Sequence, residues 1–156
     1  MKLMFKERAF SWLDSYDVYR EDGSVIYTVH GELSWGHCLH ILDEHDEHVG
    51  TVKEKMFTWL PKFEIYQRDE YLGCISKEFG FIIHEYNVDF MGWTVQGDLF
   101  EWDYKVKNER NEVVAAVSKE LFNWTDTYSI EVIDEKDALY ALMLVLAIDA
   151  EKCSRN

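Results

Sequence analysis

Through residue 133 the chain alternates short apolar and β-branched stretches with polar turns, and most stretches run about five to eight residues. The pattern predicts strands at Leu3–Lys6, Tyr16–Arg20, Val25–His30, Cys38–Leu42, Val49–Lys53 and Phe63–Tyr66. It continues with Tyr71–Ile75, Phe81–Tyr86, Trp93–Gly97, Tyr104–Val106, Val113–Ser118 and Tyr128–Ile133. Between them lie turn signals: Asp22-Gly23, where glycine accepts positive φ, the acidic run Asp43–Glu47, Arg68-Asp69-Glu70, and Asn108–Asn111. About a dozen strands at this spacing read as a sandwich or barrel.

The last element differs. Ala138 to Ile148 is eleven residues without a charge. Asp134 is placed to cap a helix, and Glu135 and Asp137 fall in the first turn, where the helix dipole favours negative charge. The apolar run is too short to cross a bilayer, which takes about 20 residues. A helix hydrophobic on every face must be buried on every face. Among strands this predicts a helix threaded through a barrel. At ~10–12 Å across, it needs a ring of more than eight strands. The alternative is a helix on one sheet, covered by a dimer partner.

An internal repeat organises the strands. Tyr27-Thr28-Val29-His30-Gly31-Glu32-Leu33 returns as Trp93-Thr94-Val95-Gln96-Gly97-Asp98-Leu99, and after one deletion Val52, Phe57, Trp59, Phe63 and Ile65 match Val117, Phe122, Trp124, Tyr128 and Ile130. The turn residues match too, Asp46-Glu47 against Asn111-Glu112. Two copies of this length indicate a duplicated β-meander rather than a solenoid. The expectation is mainly β with one helix: one domain over 1–156, about twelve strands closed into an antiparallel barrel, repeat units near 15–66 and 80–131, and a central helix near 135–150.

These features together resemble the tubby C-terminal-like superfamily, and within it the LURP-one-related family with its short bacterial forms. The pieces that carry the likeness are the strand–turn–strand units around Val49–Lys55 and Val113–Lys119, the segment Asp126-Thr127-Tyr128, and the apolar helix ending Ala147-Ile148-Asp149. The resemblance covers nearly the whole chain and implies a twelve-stranded antiparallel barrel around a central helix, a fold shared with phospholipid scramblases. It also implies phospholipid binding of the kind tubby proteins perform through a basic patch. Here Lys53, Lys55, Lys62 and Lys77 are scattered beside Glu54, Glu64 and Glu78, and Lys105, Lys107 and Arg110 are diluted by Glu101, Asp103, Glu109 and Glu112.

Composition narrows the function classes. Thirty Asp and Glu against sixteen Lys and Arg give a formal charge of −14, which repels phosphate backbones and argues against nucleic acid as a partner. Three cysteines without a CxxC pair suit a reducing cytoplasm rather than a disulfide framework, and no export signal or transmembrane segment is expected. No cofactor or enzyme motif is found. Cys38 beside His37 is a poor thiol–imidazole pair, because adjacent strand residues face opposite ways.

The remaining chemistry is a histidine-rich hairpin, with His30, His37, His40, His45 and His48 accompanied by Cys38, Asp43 and Asp46. His40 and His48 share a face if the register allows, and with Asp46 they make a sparse candidate metal site, against the four ligands of structural zinc. The competing reading is a solvated acidic turn. Trp59 and Trp124, beside Phe57 and Phe122, are expected to plug the barrel ends or pack on its wall, the alternative being an exposed aromatic rim. The expected function is a non-enzymatic cytoplasmic binding or scaffold module whose ligand is a lipid, a small apolar molecule or a protein. The alternative is a metal-binding or catalytic protein built on the His37–His48 hairpin.

Overall fold

A computed structural model describes residues 1–6, 15–34, 36–77, 86–99, 101–122 and 125–153. Twelve strands precede one helix: β1 (Lys2–Lys6), β2 (Ser15–Tyr19), β3 (Val25–Ser34), β4 (Gly36–Asp43), β5 (His48–Glu54), β6 (Lys62–Gln67), β7 (Glu70–Lys77), β8 (Tyr86–Phe90), β9 (Thr94–Asp98), β10 (Asp103–Lys107), β11 (Val113–Phe122), β12 (Thr125–Val132) and α1 (Ala138–Cys153). The strand expected at Phe81–Tyr86 lies outside the described residues except for Tyr86, which begins β8. The helix also starts later than residue 135. Glu135–Asp137 form a 3-10 turn whose cap, Asp134, accepts from the Lys136 N–H.

The strands form one antiparallel sheet in the order β8-β7-β6-β5-β4-β3-β2-β1-β12-β11-β10-β9. The first strand in sequence pairs with the last, from Lys2 opposite Glu131 to Lys6 opposite Thr127, in the middle of the sheet, and the sheet curls until its edge strands β8 and β9 approach, a nearly closed barrel. The seam lies between β8 and β9, joined by a turn in which Trp93 N–H donates to the Phe90 carbonyl at 3.0 Å. On the β7 side of β8 the backbones run close. A Cβ on Gly73, whose φ is 154°, would lie 2.0 Å from the Asp89 carbonyl oxygen.

Alternation sends one set of side chains inward along each strand, as a two-residue period requires. Leu39 and Ile41 on β4, Phe63 and Ile65 on β6, and Ile130 and Val132 on β12 are buried, while alternate positions such as His40, Glu64 and Glu131 are half-buried or exposed. The inward set closes on α1, which touches β5, β6, β7 and β12. From Ala141 to Ile148 no residue is more than 1% exposed. The fit is close where β5 carries Gly50. A Cβ on Gly50 would stand 2.7 Å from Met143 Sδ. Tyr140, at the helix start, donates its hydroxyl to Gln67 Oε1 at 3.0 Å and packs its ring on Phe90. Each fully buried Leu or Ile contributes roughly 1.5–3 kcal/mol, against a net stability of about 5–15 kcal/mol for an ordinary domain.

The turns after β4 and β10 share one geometry. Asp43 accepts from the N–H groups of His45 and Glu47, and Asn108 from those of Arg110 and Glu112, all at 2.8–3.0 Å. Asp46 and Asn111 occupy the left-handed region with φ near 60°. We read this matched turn as an imprint of duplication.

Two outcomes follow from this architecture. Leu142→Asp forces a charge into a dry interior, a penalty of several kcal/mol, and should abolish the cooperative thermal transition seen by circular dichroism. A soluble, cooperatively melting variant would place the helix elsewhere. The backbone bonds from His45 and then Glu47 hold the Asp43 carboxyl below its ordinary 3.8. The stability this contributes is therefore present above that pH and lost as pH falls through the lower folded value. The melting temperature of Asp43→Asn should decline less than wild type between about pH 5 and about pH 2.

Candidate binding surface on the barrel wall

With α1 occupying the middle of the barrel, the candidate chemistry described below lies on the outer wall and the loops. The histidine hairpin lies on that wall. His40 on β4 opposes His30 on β3 and Thr51 on β5, and Cys38, two residues earlier, opposes Glu32 and Lys53. Register slips by one residue between Ile41 and Leu42, which seats His48 opposite Leu42. The bulge brings the two expected imidazoles together, with His40 Nδ1 3.4 Å from His48 Nε2.

His40 Nε2 also stands 2.8 Å from Glu32 Oε2 and 3.5 Å from Cys38 Sγ, and His48 Nε2 lies 2.8 Å from Thr51 Oγ1. A proton on His40 Nε2 donates to Glu32, leaving Nδ1 to accept from His48. Asp46 takes no part: it is exposed at the tip of the turn, where its N–H donates to the Asp43 carbonyl. His45 is exposed near Glu44, and His37 faces Glu54 at the barrel end. Among the described residues no three His, Cys, Asp or Glu side chains group to hold a metal ion. The site expected at His40, His48 and Asp46 is a hydrogen-bonded imidazole pair without its carboxylate.

The thiol next to this network is not prepared for attack. Burial first, then the Glu32 carboxylate, push the Cys38 pKa up, and Lys53 opposes them weakly. A raised pKa keeps sulfur protonated, whereas a nucleophile needs the thiolate. Cys38 shares its face with His40, not with its sequence neighbour His37. The two-residue spacing carried that signal, and Glu32 enters only through strand pairing.

Two clefts open on this face. One of about 400 Å³ is lined by residues including Glu32, Cys38, His40, Lys53, Tyr66 and Arg68. The other, about 310 Å³, is lined by Lys53, Glu54, Lys55, Met56, Glu64 and Tyr66. Lys53 and Tyr66 border both, so the clefts form one groove along β5 and β6.

The groove leads to the loop between these strands. Phe57 and Trp59 are 94% and 93% exposed, and Met56 is partly so. This corrects the expectation that Trp59 plugs the barrel or packs on its wall, while Trp124 lies outside the described residues. The loop is tied off locally: Lys55 N–H donates to the Lys62 carbonyl at 2.8 Å, and the Thr58 hydroxyl lies 2.6 Å from the Leu60 carbonyl oxygen. Phe57 sits at φ 63°, a left-handed conformation that is a clear outlier for a bulky residue. Trp93 and Trp102, by contrast, are buried, and Trp102 stacks on Tyr128 with centroids 3.8 Å apart.

A nearly closed twelve-stranded antiparallel wall around an apolar C-terminal helix defines the tubby-like barrel class. The X-ray structure of an Arabidopsis thaliana protein shares this fold, with a TM-score of 0.61 over 95% of this chain and 90% of that one, at 11% identity. The LURP-one-related family model matches residues 1–149, and the chain belongs to that family. It is also 24% identical over 150 residues to the uncharacterised protein YxjI of Bacillus subtilis (strain 168), covering 96% of this chain and 92% of that protein. No helix among the described residues is long and apolar enough to cross a membrane.

Elemental analysis of tag-free protein dialysed against zinc should find well below one equivalent of metal. Stoichiometric zinc lost in the His40→Ala/His48→Ala variant would restore the metal-site reading.

Proposed function

We propose that this LURP-one-related barrel is a non-enzymatic cytoplasmic binding or scaffold module that engages a protein partner through the loop between β5 and β6. The observation that carries this reading is the exposure of Phe57 and Trp59 on a tied loop. Lone surface apolar residues need no explanation, but two large aromatics held outward in sequence, one in a disfavoured backbone conformation, do. Aromatic residues are enriched in the buried centres of protein interfaces, where truncating one removes 2 kcal/mol or more. A loop already fixed by its own hydrogen bonds also loses less entropy on docking.

The filled interior bears on the other ligand classes. At Gly50 and Met143 the helix and the wall are in close contact, which leaves no space for a small apolar molecule at that point. For a membrane, the formal charge of −14 opposes anionic lipid, and Lys55 beside the loop is already paired with Glu64 at 3.7 Å.

Replacing Trp59 with a photo-crosslinking amino acid in the native cell should give a discrete protein adduct that is lost with Phe57→Ser. No adduct, or adducts indifferent to that change, would remove the loop from the binding site. Once the partner is in hand, Phe57→Ser and Trp59→Ala should each weaken it about 30-fold, the equivalent of about 2 kcal/mol. Vesicles of phosphatidylcholine with phosphatidylserine should leave the protein in the supernatant at physiological salt. Tight, salt-sensitive co-sedimentation would make the loop a membrane contact instead.

A further inference from the structure

We propose that His40 and His48 form a site on the barrel wall for a late first-row divalent metal ion, copper(II) binding tightest. The inference does not rest on the partner-binding reading. Two imidazole nitrogens that share one ion, each about 2.0–2.1 Å from it, stand about 2.9 Å apart in a square arrangement and about 3.4 Å in a tetrahedral one. His40 Nδ1 and His48 Nε2 are 3.4 Å apart. In unbroken register His48 would fall opposite Asp43, on the other face from His40. The bulge between Ile41 and Leu42 seats it opposite Leu42 instead and turns it to the outer face. Bulges re-aim side chains in this way.

The outer support of such a site is present too. His40 Nε2 is 2.8 Å from Glu32 Oε2, so the carboxylate takes that N–H and leaves the Nδ1 lone pair facing His48. Ligating imidazoles almost always give their other N–H to such a partner, which fixes tautomer and ring orientation. Thr51 Oγ1, 2.8 Å from His48 Nε2, adds an oxygen at the spacing of a neighbouring donor on the same ion. The ion takes the place of the proton between the two nitrogens, and His48 keeps its own proton on Nδ1. His40 and Thr51 both line the cleft of about 400 Å³, so the remaining coordination positions open onto it.

The donor set decides the ion. Burial keeps the Cys38 thiol protonated and Glu32 is held on the far nitrogen of His40, so the ion meets two imidazoles and an alcohol. On such donors copper(II) stands above zinc in affinity, and two imidazoles fall short of the three protein ligands of an open zinc site. Zinc lost on dialysis and tighter binding of copper are therefore properties of one site. The formal charge of −14 raises the local concentration of any cation.

Tag-free, chelator-stripped protein titrated with copper(II) sulfate tests this, read by electron paramagnetic resonance and calorimetry. The expected result is one equivalent of copper with splitting from two imidazole nitrogens, held at least tenfold more tightly than zinc. His40→Gln and His48→Gln, each with wild-type circular dichroism, should each weaken binding at least tenfold. Glu32→Gln should weaken it about tenfold while the two-nitrogen signature stays, and His45→Gln, exposed on the turn, should leave it unchanged. Copper bound equally by wild type and H40Q/H48Q would mean an adventitious ion only and overturn the site. No copper binding, or splitting from a single nitrogen, would overturn it as well. Zinc bound as tightly as copper would overturn the choice of ion.

Discussion

A helix without a polar face can exist in water only if something covers it all the way round, and that requirement sets the rest of this molecule. Leu142, Met143, Leu144, Val145 and Leu146 point in successive directions around α1, and every one is buried. A single sheet covers one side of a helix. Covering every side takes a wall that returns on itself, which the sheet provides by curling until its edge strands β8 and β9 meet at the turn from Phe90 to Trp93. Helix diameter then sets the strand number, because a barrel of eight strands is filled by its own side chains. Gly50 is a local adjustment to the same demand, giving Met143 the space a Cβ would occupy.

Much of this was legible from period and charge alone. Runs with a two-residue period name strands, an eleven-residue uncharged run names a buried helix, and a helix threaded through a barrel reconciles them within one chain. What escaped were boundaries and register. The helix start was misplaced because Asp134 caps a 3-10 turn before α1 begins, and both readings put an acid at the same place. The contact of His40 with His48 depended on a bulge at Ile41/Leu42 that no composition signal marks. Asp46, next to them in sequence, was carried away by the turn that Asp43 organises.

The surface was harder to read. Lys53 and Arg68 are fifteen residues apart and look scattered, yet the hairpin from β5 to β6 sets them on one cleft. Phe57 and Trp59 pattern like core residues, and hydrophobicity alone assigns them inward. The loop puts them outside because its own hydrogen bonds, not burial, determine its path. A helix along the interior and an outward-facing aromatic loop belong to one proposal: the helix takes interior space, and the loop on the rim is the surface we propose for recognition. The hydrogen-bonded pair of His40 and His48, and the protonated Cys38 beside it, then read as polar parts of that wall.

Native-state hydrogen exchange resolved by residue tests the central claim most directly. If α1 is enclosed by the wall, its amides from Ala141 to Ile148 can open only when the barrel does. They should then exchange with the same free energy and denaturant dependence as the slowest amides of β6 and β12. Exchange of those helix amides through a smaller opening, while the strands stay protected, would show that the helix leaves without unfolding the wall and would contradict this account.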